Sequence, residues 1–459
     1  MHKEKGQSLV LGLIFLSIIV LSLLYLFNVS QQNLHKTRLQ NFSDAAALSG
    51  AQLLARDLNY KAYTNRAMVA NHVSVAQYVG LASWGNMTEE TTRNISRIMY
   101  FIPPAAAIAS AIESAVTQIN QYMQPVLEYA VMFTDGVNRL LSRSQQLMSS
   151  ATMVAAVDTT NKVLKENNQN ADIDTISALG VANYVARDWV NFQGRFDRRD
   201  NTGRYDDHFN LIVDSRDPFS KKRSFNWSFP FSAHLFPVKY KSKQAGGTEL
   251  FNNGERDAET WSGMDTFSFH FYRFSCKRFR CKWRGGEIPV GWGAGHAGDD
   301  QDTTNYTARH YYGRSRAINR KASRYAYTNE SEMNNAYSGL QPFYDIKQSQ
   351  NRNVAPKFTI AVSQKRKNIR TSEQLNIGTG GPAQTNVNLE EHTATPDGEL
   401  LVLSKAKIYY FRDRALWGRS DSKWEYGNLY NPYWQVTLDD TTNGERGMVA
   451  ALAFAAQEK

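Results

Sequence analysis

Hydrophobic positions fall along the chain in three different rhythms. From Leu9 to Phe27 the chain reads LVLGLIFLSIIVLSLLYLF, 19 residues without a charge. Such a run is about the length of one membrane-spanning helix. It has no polar stripe, exceeds the apolar core of a signal peptide, and no Ala-x-Ala cleavage site follows it. It therefore reads as an uncleaved anchor. From Asn28 to about Tyr78 the chain is polar but helix-compatible, with no Pro and a small-residue face at Ala45, Ala46, Ala47, Ala51 and Ala55. A helix from Leu9 to Tyr78 would be about 105 Å long and would project beyond the bilayer as a stalk. The segment SWGNMTEE is expected to break it, with Thr88, Thr91 and Thr92 capping a short helix beyond.

A second helical stretch opens at Pro103 and Pro104. From Ile112 to Val154 its apolar positions alternate steps of four and three, with Ser144 the one polar exception. That is a coiled-coil-type seam. Pro125 and Gly136 predict a kink within it. The expected cover for the seam is the N-terminal stalk folded back antiparallel, with an intermolecular coiled coil as the alternative.

After about Asn191 the rhythm shortens to aromatic and β-branched runs of period two, such as TFSFHFYRF, APKFTIAVS, LLVLSKAKIYYF and YWQVTL. The stretch GGEIPVGWGAGHAGDDQD, from Gly285, reads as a glycine-rich loop. NLYNPYWQV reads as a turn feeding an aromatic strand. The fold class expected is α+β: a single N-terminal transmembrane helix, a long helical hairpin or coiled-coil-like stalk, then a β-rich globular domain. The divisions are 1–8 cytoplasmic, 9–27 transmembrane, 28–190 helical stalk, 191–440 β-rich and extracytoplasmic, and 441–459 a short apolar helix.

Charge adds orientation and a ligand candidate. Lys3 and Lys5 precede the span, opposed by Glu4, while Lys36 and Arg38 lie about ten residues past it. The positive-inside rule then favours a cytoplasmic N-terminus. The two cysteines, Cys276 and Cys281, enclose KRFR between aromatic-rich strands. A disulfide across that hairpin requires an oxidising compartment; free thiols in a cytosolic loop are the other reading. The chain has a net charge of +10, which points to an anionic neighbour or simply a solvated basic surface. Arg273, Lys277, Arg278, Arg280, Lys282 and Arg284 have no acidic residue among them, and Phe274, Phe279 and Trp283 interleave. Cations with aromatics suit an anionic envelope polymer or lipid headgroups; an exposed hairpin without ligand is the plain alternative.

Motifs for chemistry are missing. There is no HExxH, no GxxxxGK[ST] and no CxxC. Asp299, Asp300 and Asp302 lack the acidic twelfth position of an EF-hand. The chain is read as non-enzymatic, with no cofactor and no metal.

The N-terminus carries a recognisable order of residues. Lys5-Gly6-Gln7 precedes the span; then come Leu39-Gln40 and Asp44-Ala45-Ala46-Ala47-Leu48. This resembles the TadG-like proteins of the Tad (Flp-type) pilus assembly machinery. The resemblance covers about the first 55 residues. It implies a single-pass protein of the bacterial inner membrane, its C-terminal bulk in the periplasm. It would act as scaffold, anchor or initiator for a thin adhesive pilus through Gln40, Asp44, Ala45, Ala46, Ala47 and Leu48. Implied partners are other pilus-assembly or pilin subunits and inner-membrane lipid; self-association through the stalk and an anionic envelope polymer are further candidates, and nucleic acid is not favoured. On an alanine face Asp44 needs a partner, and Gln40 stands one turn earlier; alternatively Asp44 faces water. The metal-binding Asp-x-Ser-x-Ser loop of some TadG-like proteins is missing, since Arg216 interrupts IVDSRDPFS. Two alternatives remain: an anchored adhesin or polymer-binding protein, and a minor or tip pseudopilin cut after Gly6. The pseudopilin would have Leu11, not Glu, at its fifth position.

Overall fold

A computed structural model describes residues 7–168, 171–173, 184–227, 232–252, 259–277, 280–298, 317–333, 336–347, 353–365, 399–413, 416, 418, 420–421, 423–445 and 447. Helix α1, Gln7–Met99, is followed by helix α2, Pro103–Asn167. The strands are β1 (Ala171–Ile173), β2 (Gln193–Phe196), β3 (Phe225–Trp227), β4 (Ala233–Leu235), β5 (Val238–Phe251) and β6 (Thr260–Lys277). They continue as β7 (Arg280–Ala297), β8 (Glu330–Met333), β9 (Phe343–Ile346), β10 (Phe358–Lys365), β11 (Glu399–Tyr410) and β12 (Trp434–Leu438). Helix α3, Arg204–Asp214, precedes β3. The fold is α+β, and strands fall where the period-two runs predicted them.

Two compact units divide the chain, and the division does not follow the change in composition. One unit comprises 1–62, 147–194 and 346–459; the other comprises 63–146 and 195–345. Each holds part of both helices and a sheet of its own. The terminal apolar segment from residue 448 lies outside the described residues, as do Asp299, Asp300, Asp302 and Gly6.

In the first unit β1, β10, β11 and β12 form an antiparallel sheet in that order. Gly50 of α1 marks the closest approach. A Cβ there would lie 2.3 Å from the Thr160 hydroxyl of α2 and 2.9 Å from the Phe358 ring of β10. The Asn428 carboxamide accepts from the backbone N–H groups of Tyr430 and Asn431, making the turn expected before the aromatic strand β12.

In the second unit the order is β3-β5-β6-β7-β8, with β4 paired to β5 and β8 running parallel to β7. The glycine-rich stretch from Gly285 is not a loop: residues 285–297 are strand β7. Its glycines at alternate positions face α1. A Cβ on Gly291 would lie 2.7 Å from the Met87 carbonyl, and on Gly293 2.5 Å from both the Met87 N and the Ser83 carbonyl. Period two on the strand meets period four on the helix, so backbone packs on backbone. The core around it joins Val75, Val79 and Ala82 of α1 to Leu127 and Val131 of α2 and to Trp261 of β6.

Helix α1 does not break at SWGNMTEE. Thr88, Thr91 and Thr92 donate to carbonyls three or four residues back, inside the helix, instead of capping a new one. Pro125 lies within α2 without ending it. The larger correction concerns the seam. In the second unit α2 turns a polar lane inward: Asn120, Thr134, Asp135, Asn138, Ser142 and Gln145 are buried. Asn120 donates to Asn86 (3.0 Å), Asn71 to Asn138 (2.9 Å), and Gln145 to Thr64 and Asn65 (2.7 Å each). These bonds join α2 to α1 antiparallel, as expected, but through carboxamides. One row of the apolar seam meanwhile faces outward, with Ile119, Val126, Phe133 and Leu140 exposed, while Val116, Met123, Ala130 and Val137 are half-buried and Met123 packs against the core.

Candidate assembly and ligand-binding sites

The assembly residues sit on α1 in the first unit. Gln40 Nε2 donates to Asp44 Oδ1 at 2.8 Å, to Ser404 Oγ at 3.0 Å and to the Leu403 carbonyl at 3.2 Å. Asp44 is therefore half-buried with a partner one turn away, and Gln40 clamps α1 to β11. Ala46 and Ala47 are buried, while Ala45 and Leu48 are exposed. The alanine run thus has two faces. One is used inside the unit, where small side chains let helix and sheet approach. The other, with Arg38, Asn41, Ala45, Leu48 and Arg56, is open to solvent.

Four turns beyond Asp44 lies a group that sequence reasoning missed. Lys61 Nζ donates to Asp57 Oδ2 (2.5 Å), Gln193 Oε1 (2.7 Å) and Ser149 Oγ (3.1 Å), and both charged side chains are fully buried. Burial lowers the Lys61 pKa, and the Asp57 carboxylate opposes that shift. The i,i+4 spacing was visible in DLNYK, but such pairs are usually solvent-exposed. A second buried pair, Arg223–Asp265 at 2.8 Å, ties β6 to Ser83 of α1, whose hydroxyl donates to Asp265 at 2.6 Å.

The basic cluster is the tip of the β6–β7 hairpin. A disulfide links Cys276 and Cys281 across it. Register sets Arg273 opposite Arg284, Phe274 opposite Trp283, and Ser275 opposite Lys282. Since side chains alternate between faces, the cations and the aromatics are not interleaved in space. Arg273, Lys282 and Arg284 share one face and are exposed; Lys277 and Arg280 are paired in register at the end of the hairpin. Phe274 and Trp283 share the other face, edge to face at 5.4 Å, with Lys239 Nζ 4.5 Å above the Trp283 ring. Arg278 and Phe279 lie outside the described residues. Like charges directly opposite on a sheet repel, and Arg273 and Arg284 stand directly opposite.

Residues 6–53 match the Tad family model, described as "Putative Flp pilus-assembly TadE/G-like". Among curated proteins and solved structures, none matches the chain. The matched residues take in the segment of α1 that is long and apolar enough to cross a membrane, and they end just past the Gln40–Asp44 clamp. Over residues 6–53, then, the chain is similar to the TadE/G-like family of putative Flp pilus-assembly proteins.

Proposed function

We propose that this protein is a membrane-anchored, non-enzymatic component of a Tad/Flp-type pilus assembly system, working as scaffold, anchor or initiator. One observation carries the reading. The matched domain and the membrane-length segment lie on α1, a single helix of 93 residues that continues into the folded units. The basic residues before the span and the disulfide both support a cytoplasmic N-terminus in the inner membrane and a periplasmic bulk. Partners on this reading are pilin or pilus-assembly subunits that meet the open face of α1.

The test is fractionation of a deletion strain and its complemented derivative. Loss of pili on deletion, with the protein found in washed membrane and not in sheared filaments, is the expected result. Signal in the filaments would make it a minor or tip subunit instead. Unchanged piliation on deletion would end the assembly reading.

A second reading rests on the Arg273/Arg284 pair: an anionic polymer bound at the hairpin tip. The double change Arg273→Glu and Arg284→Glu would then abolish binding to anionic vesicles while leaving pilus numbers unchanged.

A further inference from the structure

Charge in this chain is concentrated in one place. Residues 232–244 and 268–288 form the outer half of the sheet in the second unit. They carry nine Lys or Arg and one carboxylate, Glu287, in a chain whose net charge is +10. Glu287 is already engaged on the back of the sheet. It accepts from Ser268 Oγ and from the backbone N–H groups of Lys321 and Ala322. Register puts Phe225, Trp227, Phe271 and Ile288 on the opposite, front side, which they share with Arg273, Lys282 and Arg284. Helix α1 covers the inner part of this side, where Met87 and Ile95 join Phe267 and Phe269 in one apolar cluster. Away from that cluster the side is open. Phe225 is 60% exposed, Ile288 52% and Phe271 43%, and Trp227 and the three cations are exposed as well.

This combination selects among anionic ligands. A hydrated polyanion needs only the cations. Phe, Trp and Ile side chains left in water beside them gain by entering the boundary between headgroups and acyl chains, where aromatic rings and Lys or Arg are the favoured residues. The placement of the charge points the same way. Cations stand on the front, on the back at Lys239 and Lys241, and at the end of the hairpin at Lys277 and Arg280. A bounded acidic patch on a protein meets one side of such a hairpin. The potential of an anionic membrane reaches about a Debye length, roughly 8–10 Å, and acts on all of them. We propose that the front of this sheet lies on an anionic lipid bilayer, with Phe271 and Ile288 entering the headgroup zone and Arg273, Lys282 and Arg284 meeting lipid phosphates. This rests on the hairpin-tip reading above and narrows its ligand to a lipid surface.

The experiment holds the full chain by its N-terminal segment in phosphatidylcholine nanodiscs and floats it with separate vesicles, either of phosphatidylcholine alone or with about one third phosphatidylglycerol. Expected is capture by the anionic vesicles about tenfold or more above the neutral ones, lost between about 0.05 and 0.3 M salt. Phe271→Ser combined with Ile288→Ser keeps every charge. It should weaken vesicle capture about tenfold, leave retention on immobilised polyphosphate unchanged, and keep the Cys276–Cys281 disulfide closed. Equal capture by the two kinds of vesicle, or undiminished capture of the double-serine variant, would overturn the bilayer proposal. Retention on polyphosphate without capture by vesicles would also overturn it and leave the polymer reading standing. Loss of both would end the two together. In intact cells, p-benzoylphenylalanine at Phe271 should give no discrete protein adduct; such an adduct would replace the bilayer with a protein partner.

Discussion

His72 and His208 are fully buried in the second unit. His72 touches the Tyr337 hydroxyl at 3.0 Å, and His208 stacks on Phe343 with ring centroids 4.0 Å apart. Burial lowers both pKa values from 6.5 to about 3, and for His72 the neighbouring His208 adds to the shift. Folded chains therefore refuse protons that unfolded chains accept below pH 6.5. Stability is full above that pH and falls as the pH drops towards 3, by about 1.4 kcal/mol per pH unit for each histidine. At pH 5 the loss should be about 2 kcal/mol for each. Urea midpoints at pH 7.5, 6 and 5 check this; a flat response would show that the two rings titrate as freely as in water. The Asp57–Lys61 pair gives a second expectation. Lys61→Met leaves a buried carboxylate unpaired and should cost about 3–5 kcal/mol, whereas Lys61→Met with Asp57→Leu should recover most of it. Equal losses for single and double variants would mean the charges are not coupled. At this scale the sequence showed spacing but not burial. Gln40 and Asp44 were legible as partners because both lie on one helix. Ser404 and Gln193, which complete the two polar groups, come from far along the chain and left no local signal.

Among the elements, β7 shows how a correct observation led to a wrong assignment. The alternate glycines from Gly291 to Gly295 were plain in the sequence, and glycine density usually marks a loop. Here period two is itself the strand signature, and the missing side chains make room for α1. Gly293→Ala should therefore destabilise the second unit by about 1–3 kcal/mol, since its Cβ meets helix backbone that cannot swing away. Gly286→Ala meets nothing within 4 Å and should stay within about 0.5 kcal/mol. Thermal unfolding of the two variants separates the explanations: equal shifts would mean that loss of glycine flexibility, not close packing, is at work. The seam of α2 failed differently. Its period was read correctly, but period alone does not say which partner covers a face. Buried carboxamides between α1 and α2 took the inward side, because Asn and Gln satisfy one another there, Asn120 and Asn86 for example.

For the whole chain, the α+β class and the helix of membrane-spanning length were legible because each depends on composition summed over many residues. The two-unit division was not, since it rests on contacts between segments hundreds of residues apart, such as Asn59 Nδ2 donating to the Trp434 carbonyl at 2.9 Å. The orientation in the membrane can be tested through the chain's two cysteines. Cys276 and Cys281 are bonded to one another, and thiols in a reducing cytosol do not stay paired. If α1 delivers the folded units to the periplasm, chain made with its anchor should add no maleimide-polyethylene glycol in denaturant before reduction, and two after it. The same chain lacking residues 1–30, held in the cytosol, should add two without any reductant. Two additions to the anchored chain before reduction would place the hairpin on the cytoplasmic side and reverse the orientation.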